Sequence, residues 1–185
     1  MTGGPFGRPV AIAGIGATDF SKDSGRSELR LAVEATQAAL DDAGLTTADV
    51  DGLCTFTMDS NAEIELARAI GAGDLTFFSR IHYGGGAACA VVQQAALAVG
   101  TGVAETVVCY RAFNERSGRR FGIGTVPNPA DPGSEAVTRS WYSPFGLVTP
   151  ASWVAMFARR YMHTFGATSE DFGRVAVAGR RHAAT

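Results

Sequence analysis

The stretch from Gly84 to Val99, GGGAACAVVQQAALAV, is small or apolar around its whole helical circumference, with Gln93 and Gln94 as the polar exceptions. A helix with no polar stripe to offer water belongs inside a structure rather than on its surface. It is preceded by LTFFSRIHY (Leu75–Tyr83) and followed, after Gly100 and Gly102, by ETVVCYRA (Glu105–Ala112). Both runs read as strands by their β-branched and aromatic content and their glycine boundaries. A buried helix between two strands predicts an α/β architecture, a parallel or mixed sheet covered by helices.

The rest of the first part fits that pattern. PVAIAGIGATDF (Pro9–Phe20) opens as a buried strand, and Gly14-Ile15-Gly16 as a turn at its end. It is not a dinucleotide loop, because the third glycine position holds Asp19 and no helix starts there. Ser27 caps a helix over Glu28–Ala43 that Gly44 stops. Asp49–Thr57 reads as a strand and Glu63–Gly71 as a short helix. After Phe113 the texture changes: Pro127, Pro129, Pro132, Pro144 and Pro150 interrupt a long stretch with no sustained periodicity. Two parts are therefore expected, 1–113 as an α/β half and 114–185 as a loop or cap region with its helices. Ala151–Phe165 places Trp153, Met156, Phe157, Arg160 and Tyr161 on one face, for which core packing is the default reading. Thr168 caps a last helix reaching His182.

Sixteen Lys+Arg against eighteen Asp+Glu leave a net charge of −2, with no basic block, which argues against a nucleic-acid binder. No apolar run approaches the ~20 residues of a membrane span, and the N-terminus lacks a signal pattern. The three cysteines, Cys54, Cys89 and Cys109, lack CxxC spacing and read as reduced thiols of a cytoplasmic protein. His82, His163 and His182 lie far apart without ligand spacing, so no metal is expected. A GxSxG nucleophile elbow is absent.

The chemistry concentrates in His82-Tyr83-Gly84-Gly85-Gly86-Ala87-Ala88-Cys89. A strand ends, glycines turn the chain, and a helix begins with exposed N–H groups and the positive end of its dipole. That is a site for an anion, a thiolate or a developing oxyanion. The same glycines would also serve simply to pack the helix tightly on the sheet. After the fourth strand, NERSGRR (Asn114–Arg120) is either a pocket-rim turn or a solvated charged loop.

The order IAGIGATDF, a helix ending DDAGL, GGGAACAVVQQAALAVGTGVAE, NERSGRR and ATSEDFGRVAV resembles the thiolase superfamily, and within it the sterol-carrier and lipid-transfer type. The resemblance implies a layered α/β/α/β/α thiolase-like fold in longer chains, of which this one would supply the N-terminal half and part of the loop domain. In those thiolases a nucleophilic cysteine opens the buried helix. Counting back from Gly102-Val103-Ala104-Glu105, which matches the family's G-x-A-E, puts Gly85 at that position. Cys89 lies one turn deeper, where it is expected to be buried among Ala and Val.

Glycine cannot be acylated, so the covalent thiolase route closes. Retro-aldol cleavage of a β-hydroxyacyl-CoA is compatible with what remains, and the resemblance to steroid side-chain aldolases implies a 17-hydroxy steroid thioester giving a ketone and propionyl-CoA. Gly85 and Gly86 would offer backbone N–H groups to the enolate oxygen. Tyr83 or His82 is a candidate acid or base, though strand alternation lets only one face the site. Arg116, Arg119 and Arg120 are candidates for a coenzyme A phosphate. The substrate would be the coenzyme A thioester, with no separate cofactor. The family further implies a homodimer and an accessory protein of OB-fold and zinc-ribbon type, and neither nucleic acid nor membrane as partner. Two alternatives stay open: an ordinary acetyl-CoA acetyltransferase using Cys89, and a non-catalytic ligand-binding or scaffold subunit.

Overall fold

A computed structural model describes residues 7–56, 59–82, 86–118, 137 and 140–184. The chain divides into two units, residues 1–120 and 121–185.

The first unit is built on a parallel sheet of three strands, β1 (Gly52–Phe56), β2 (Phe77–Ile81) and β3 (Val107–Cys109), in the order β2-β1-β3. Gly52 pairs with Phe77 on one side and Val107 on the other. Every residue of β1 is buried, as a strand covered on both faces requires. Side chains alternate across it. Leu53 joins Leu31, Ala32 and Leu40 of α1 (Glu28–Ala43) and Leu66 and Ala67 of α2 (Glu63–Ile70). Cys54 and Phe56 face the other way, onto Ala87 and Val91 of α3 (Ala87–Thr101). Helix, sheet and helix thus stack in layers, and the parallel crossovers β1-α2-β2 and β2-α3-β3 are those the sequence suggests.

The helix boundaries follow local signals. The Ser27 side chain accepts the Arg30 N–H at the start of α1, and Gly44 closes it in the left-handed conformation at φ 68°. Asp51 joins the strand starts, its carboxylate accepting the N–H groups of Glu105 and Thr106 at 2.8 Å each.

Three expectations are corrected. Residues 9–20 form no strand among the described residues; they run along α1. An added Cβ on Gly14 would collide with the Ala39 carbonyl, and one on Gly16 with that of Ala35, so the glycines serve close approach to a helix backbone. No described strand offers this segment a ladder, and Ile12, Ile15 and Phe20 remain exposed.

The Glu105–Ala112 strand is also shorter than expected. Its pairing ends at Cys109, after which Tyr110 N–H donates to Cys54 O at 3.1 Å and Tyr110 O accepts the Thr55 hydroxyl at 2.8 Å. Finally, α3 begins at Ala87 and is covered on one side. Ala87, Val91, Ala95 and Ala98 are buried at steps of three and four, whereas Cys89 and Gln93 are exposed and Val92 is 45% exposed. The sheet supplies a partner for one face of this helix and none for the other.

The second unit holds α4 (Pro150–Phe165) and α5 (Ser169–His182). Thr149 caps α4 by accepting Ser152 N–H, and Thr168 and Asp171 form a reciprocal capping box on α5. Tyr161 packs on Phe165 and Phe172, with ring centroids 4.8 and 6.2 Å away. No residue of either helix is buried, so core packing of the Trp153–Tyr161 face is not what the unit displays.

Candidate active site at the strand ends

Parallel sheets bind ligands beyond the carboxyl ends of their strands. Here that edge gathers the chain after β1 (Asp59–Asn61), His82 at the end of β2, and the chain after β3 (Tyr110–Asn114). Gly86 immediately precedes α3 and has no side chain to cap it, so N–H groups of the first turn are left without an intrahelical acceptor. A Cβ at Gly86 would meet nothing within 4 Å, so no packing conflict demands glycine there.

His82 follows β2 directly and is exposed. Tyr83 and Gly85 lie outside the described residues, as do Arg119 and Arg120; Arg116 is exposed in a turn. Cys89, expected to be a buried packing residue, is exposed on the uncovered side of α3. The other two thiols are held protonated. Cys54 is fully buried, and desolvation raises its pKa against a hydrogen bond from Ser79. Cys109 sits at the sheet's open edge, but its Sγ is directed at the Val91 carbonyl, 3.9 Å away, and desolvation pushes its pKa up to about 12. Among the described residues, no three His, Cys, Asp or Glu side chains gather as a metal site.

Sequence reasoning passed over a polar cluster here. Asp59 is 3% exposed, and its carboxylate accepts Asn61 N–H at 2.8 Å, Asn61 Nδ2 at 2.9 Å and Ala112 N–H at 2.6 Å. Arg80 of β2 donates to the carbonyls of Asp59 and Asn61 at 2.7 and 2.6 Å while pairing with Glu63 at 3.1 Å. Tyr110 donates its hydroxyl to Asn61 O at 3.0 Å, and burial, reinforced by the Glu63 and Asp59 charges, raises its pKa well above the usual range. Glu28 at the start of α1 accepts Asn114 N–H at 3.1 Å and the Ser60 hydroxyl. Arg111 lies over Phe56 and Phe113, 5.3 and 5.4 Å from the ring centroids. The available signals were a charged Arg80 inside a strand of mostly apolar residues and an Asp-Ser-Asn run just beyond another.

The comparisons bear on what this edge does. No family model matches the chain. It is 67% identical over 176 residues to the "Steroid side-chain-cleaving aldolase" of Thermomonospora curvata, covering 95% of this chain and 45% of that protein. It is 67% identical over 175 residues to the "17-hydroxy-3-oxo-4-pregnene-20-carboxyl-CoA lyase" of Mycobacterium tuberculosis, again covering 95% of the chain and 45% of the relative. An "Acetyl-CoA acetyltransferase" of Methanocaldococcus jannaschii is 28% identical over 181 residues, with 92% and 43% covered. The solved "Ltp2-ChsH2(DUF35) aldolase" is matched at a TM-score of 0.79 and 66% identity, over 94% of this chain and 43% of that one. The chain spans less than half the length of these relatives. Over nearly all of its residues the chain is thus similar to part of the steroid side-chain-cleaving aldolases, and more distantly to part of an acetyl-CoA acetyltransferase.

Proposed function

We propose that the full-length protein carrying this chain is a carbon–carbon lyase that cleaves a β-hydroxyacyl-CoA by retro-aldol chemistry, its substrate a 17-hydroxy steroid side-chain thioester. The observation that carries this reading is the 67% identity to two proteins named for that cleavage. A glycine, Gly85, where thiolases mount their cysteine supports it from the sequence. A base removes the β-hydroxyl proton, the Cα–Cβ bond breaks to give the ketone, and the electron pair moves onto the thioester as an enolate. Protonation of the enolate carbon then yields propionyl-CoA.

In this reading the backbone N–H groups of Gly85 and Gly86, beside the positive end of α3, hold the enolate oxygen. His82 or Tyr83 is the acid or base this chain supplies, and Arg116, Arg119 and Arg120 meet the coenzyme A phosphates. Residues 1–113 form the catalytic α/β part and 114–185 the cap. The working protein is a homodimer in the cytoplasm, joined by a partner of the ChsH2 (DUF35) kind that accompanies the similar solved aldolase.

One observation favours a second reading. Cys89 is exposed in the first turn of α3, so its thiol is reachable for acylation. Incubating the full-length protein with a short acyl-CoA and weighing it intact separates the two. The lyase reading expects no adduct, together with ketone and propionyl-CoA from the 17-hydroxy thioester. An acyl group on Cys89 overturns it.

A further inference from the structure

The three strand ends at the candidate site belong to different crossovers, and the paired register ends at Phe56, Ile81 and Cys109, with one further main-chain bond from Tyr110 N–H to Cys54 O. A buried carboxylate adds to the bonds that Tyr110 makes with Thr55 and Asn61 and that Glu28 makes with Asn114 and Ser60. Asp59 Oδ1 turns the chain after β1 back on itself through both nitrogens of Asn61, and Oδ2 takes the N–H of Ala112 beyond β3. The Asp59 carbonyl is held in turn by Arg80, two residues before His82 in the strand that runs into α3. Glu63 accompanies the Arg80 charge, so the Asp59 carboxylate is satisfied by amide donors. A buried carboxylate held by several N–H groups makes stronger, more directional bonds than neutral acceptors do, and is costly to leave half-satisfied.

We propose that Asp59 is a positioning residue: its carboxylate latches the chain after β1 to the chain after β3, while its main-chain carbonyl takes the Arg80 guanidinium near the end of β2. Ala112, and His82 two residues after Arg80, are thereby kept in one arrangement for the reaction. This rests on the lyase reading of the same edge. Asp59 touches no reacting atom. It acts by holding Ala112, between Arg111 and Phe113, and the backbone that Arg80 grips. Asparagine at this position keeps one carbonyl acceptor and loses the other oxygen; alanine loses both.

The test compares Asp59→Asn and Asp59→Ala with Leu40→Ala in the full-length protein and its partner. Leu40 is buried in α1, away from the latch, so its truncation reports a purely structural loss. Turnover of the 17-hydroxy steroid CoA thioester is measured per folded molecule, alongside amide exchange at Ala112 and Asn61. Misplacing a site's supporting backbone costs on the order of tenfold to a hundredfold in kcat, with KM little changed, and Asn is expected to fall between wild type and Ala. Exchange at Ala112 and Asn61 should accelerate while the centre of α1 stays protected. If the Asp59 variants keep wild-type kcat per folded molecule, as Leu40→Ala should, the proposal is overturned. If wild-type protein releases no ketone, the lyase reading fails instead. The latch then stands or falls on the exchange data alone, since unchanged protection at Ala112 in Asp59→Asn overturns it.

Discussion

Helices α3 and α4 both bury less than their residues suggest, and by different amounts. α3 is mostly small and apolar, and it buries the line Ala87, Val91, Ala95 and Ala98 against a sheet while its other face stays open. α4 carries Trp153, Met156, Phe157 and Tyr161 on an amphipathic pattern, and buries none of them. Burial is a property of what stands opposite a side chain rather than of the side chain. Small residues let α3 approach β1 and β3 closely, and a sheet is present to approach. Large ones do nothing for α4 until a surface meets them.

The sharpest way to break this comparison is truncation in each unit. Leu53 of β1 is 0% exposed, and Leu53→Ala should cost about 2–5 kcal/mol in denaturant unfolding of the first unit. Phe157 is 73% exposed, and Phe157→Ala should stay within about 0.5 kcal/mol. A comparable cost at both positions would mean that the α4 face is covered in solution.

Next comes the contact between residues 9–20 and α1. Gly16→Ala drives a Cβ into the backbone at Ala35 and Ala39, which a rotamer change cannot relieve. A loss of about 1–3 kcal/mol is expected; an unchanged Tm would mean that this segment does not lie on α1. Thr36 offers the opposite sign. It is 3% exposed and its hydroxyl has no hydrogen-bond partner among the described residues. Thr36→Val should therefore stabilise by about 1 kcal/mol, and a destabilised variant would reveal a partner for that oxygen.

The smallest effect is a pH dependence. The Cys109 thiol is raised from 9.0 to about 12 in the fold, so it stays neutral there after the unfolded chain begins to ionise. The stability it contributes is whole below pH 9 and is lost as the pH climbs toward 12. Tm should decline over that window, and less steeply in Cys109→Ala. No second unit residue is a cysteine, so a steeper alkaline loss there than in the first would contradict this origin.

Much of the frame was legible before any coordinates. Ser27, Gly44, Thr168 and the glycines around α3 mark helix ends by local backbone chemistry, and local chemistry is written in order along the chain. The strand runs at Gly52 and Phe77 were legible for the same reason, through composition and spacing. Residues 9–20 were not, because an apolar extended run becomes a strand only when another strand is there to pair with it. The latch at the candidate site was hidden for a related reason. Asp59, Arg80 and Ala112 are separated by two crossovers, and no spacing rule connects them.

The sequence by itself determined the limits of α1, the alternation of strand and helix around the sheet, and the glycine at the head of α3, since each depends on neighbours a few residues away. The tertiary structure alone decided which face of α3 is covered, that Cys89 is open to solvent, and that one carboxylate joins the chain after β1 to the chain after β3. Those outcomes depend on groups far apart in the chain, brought together only when the sheet forms.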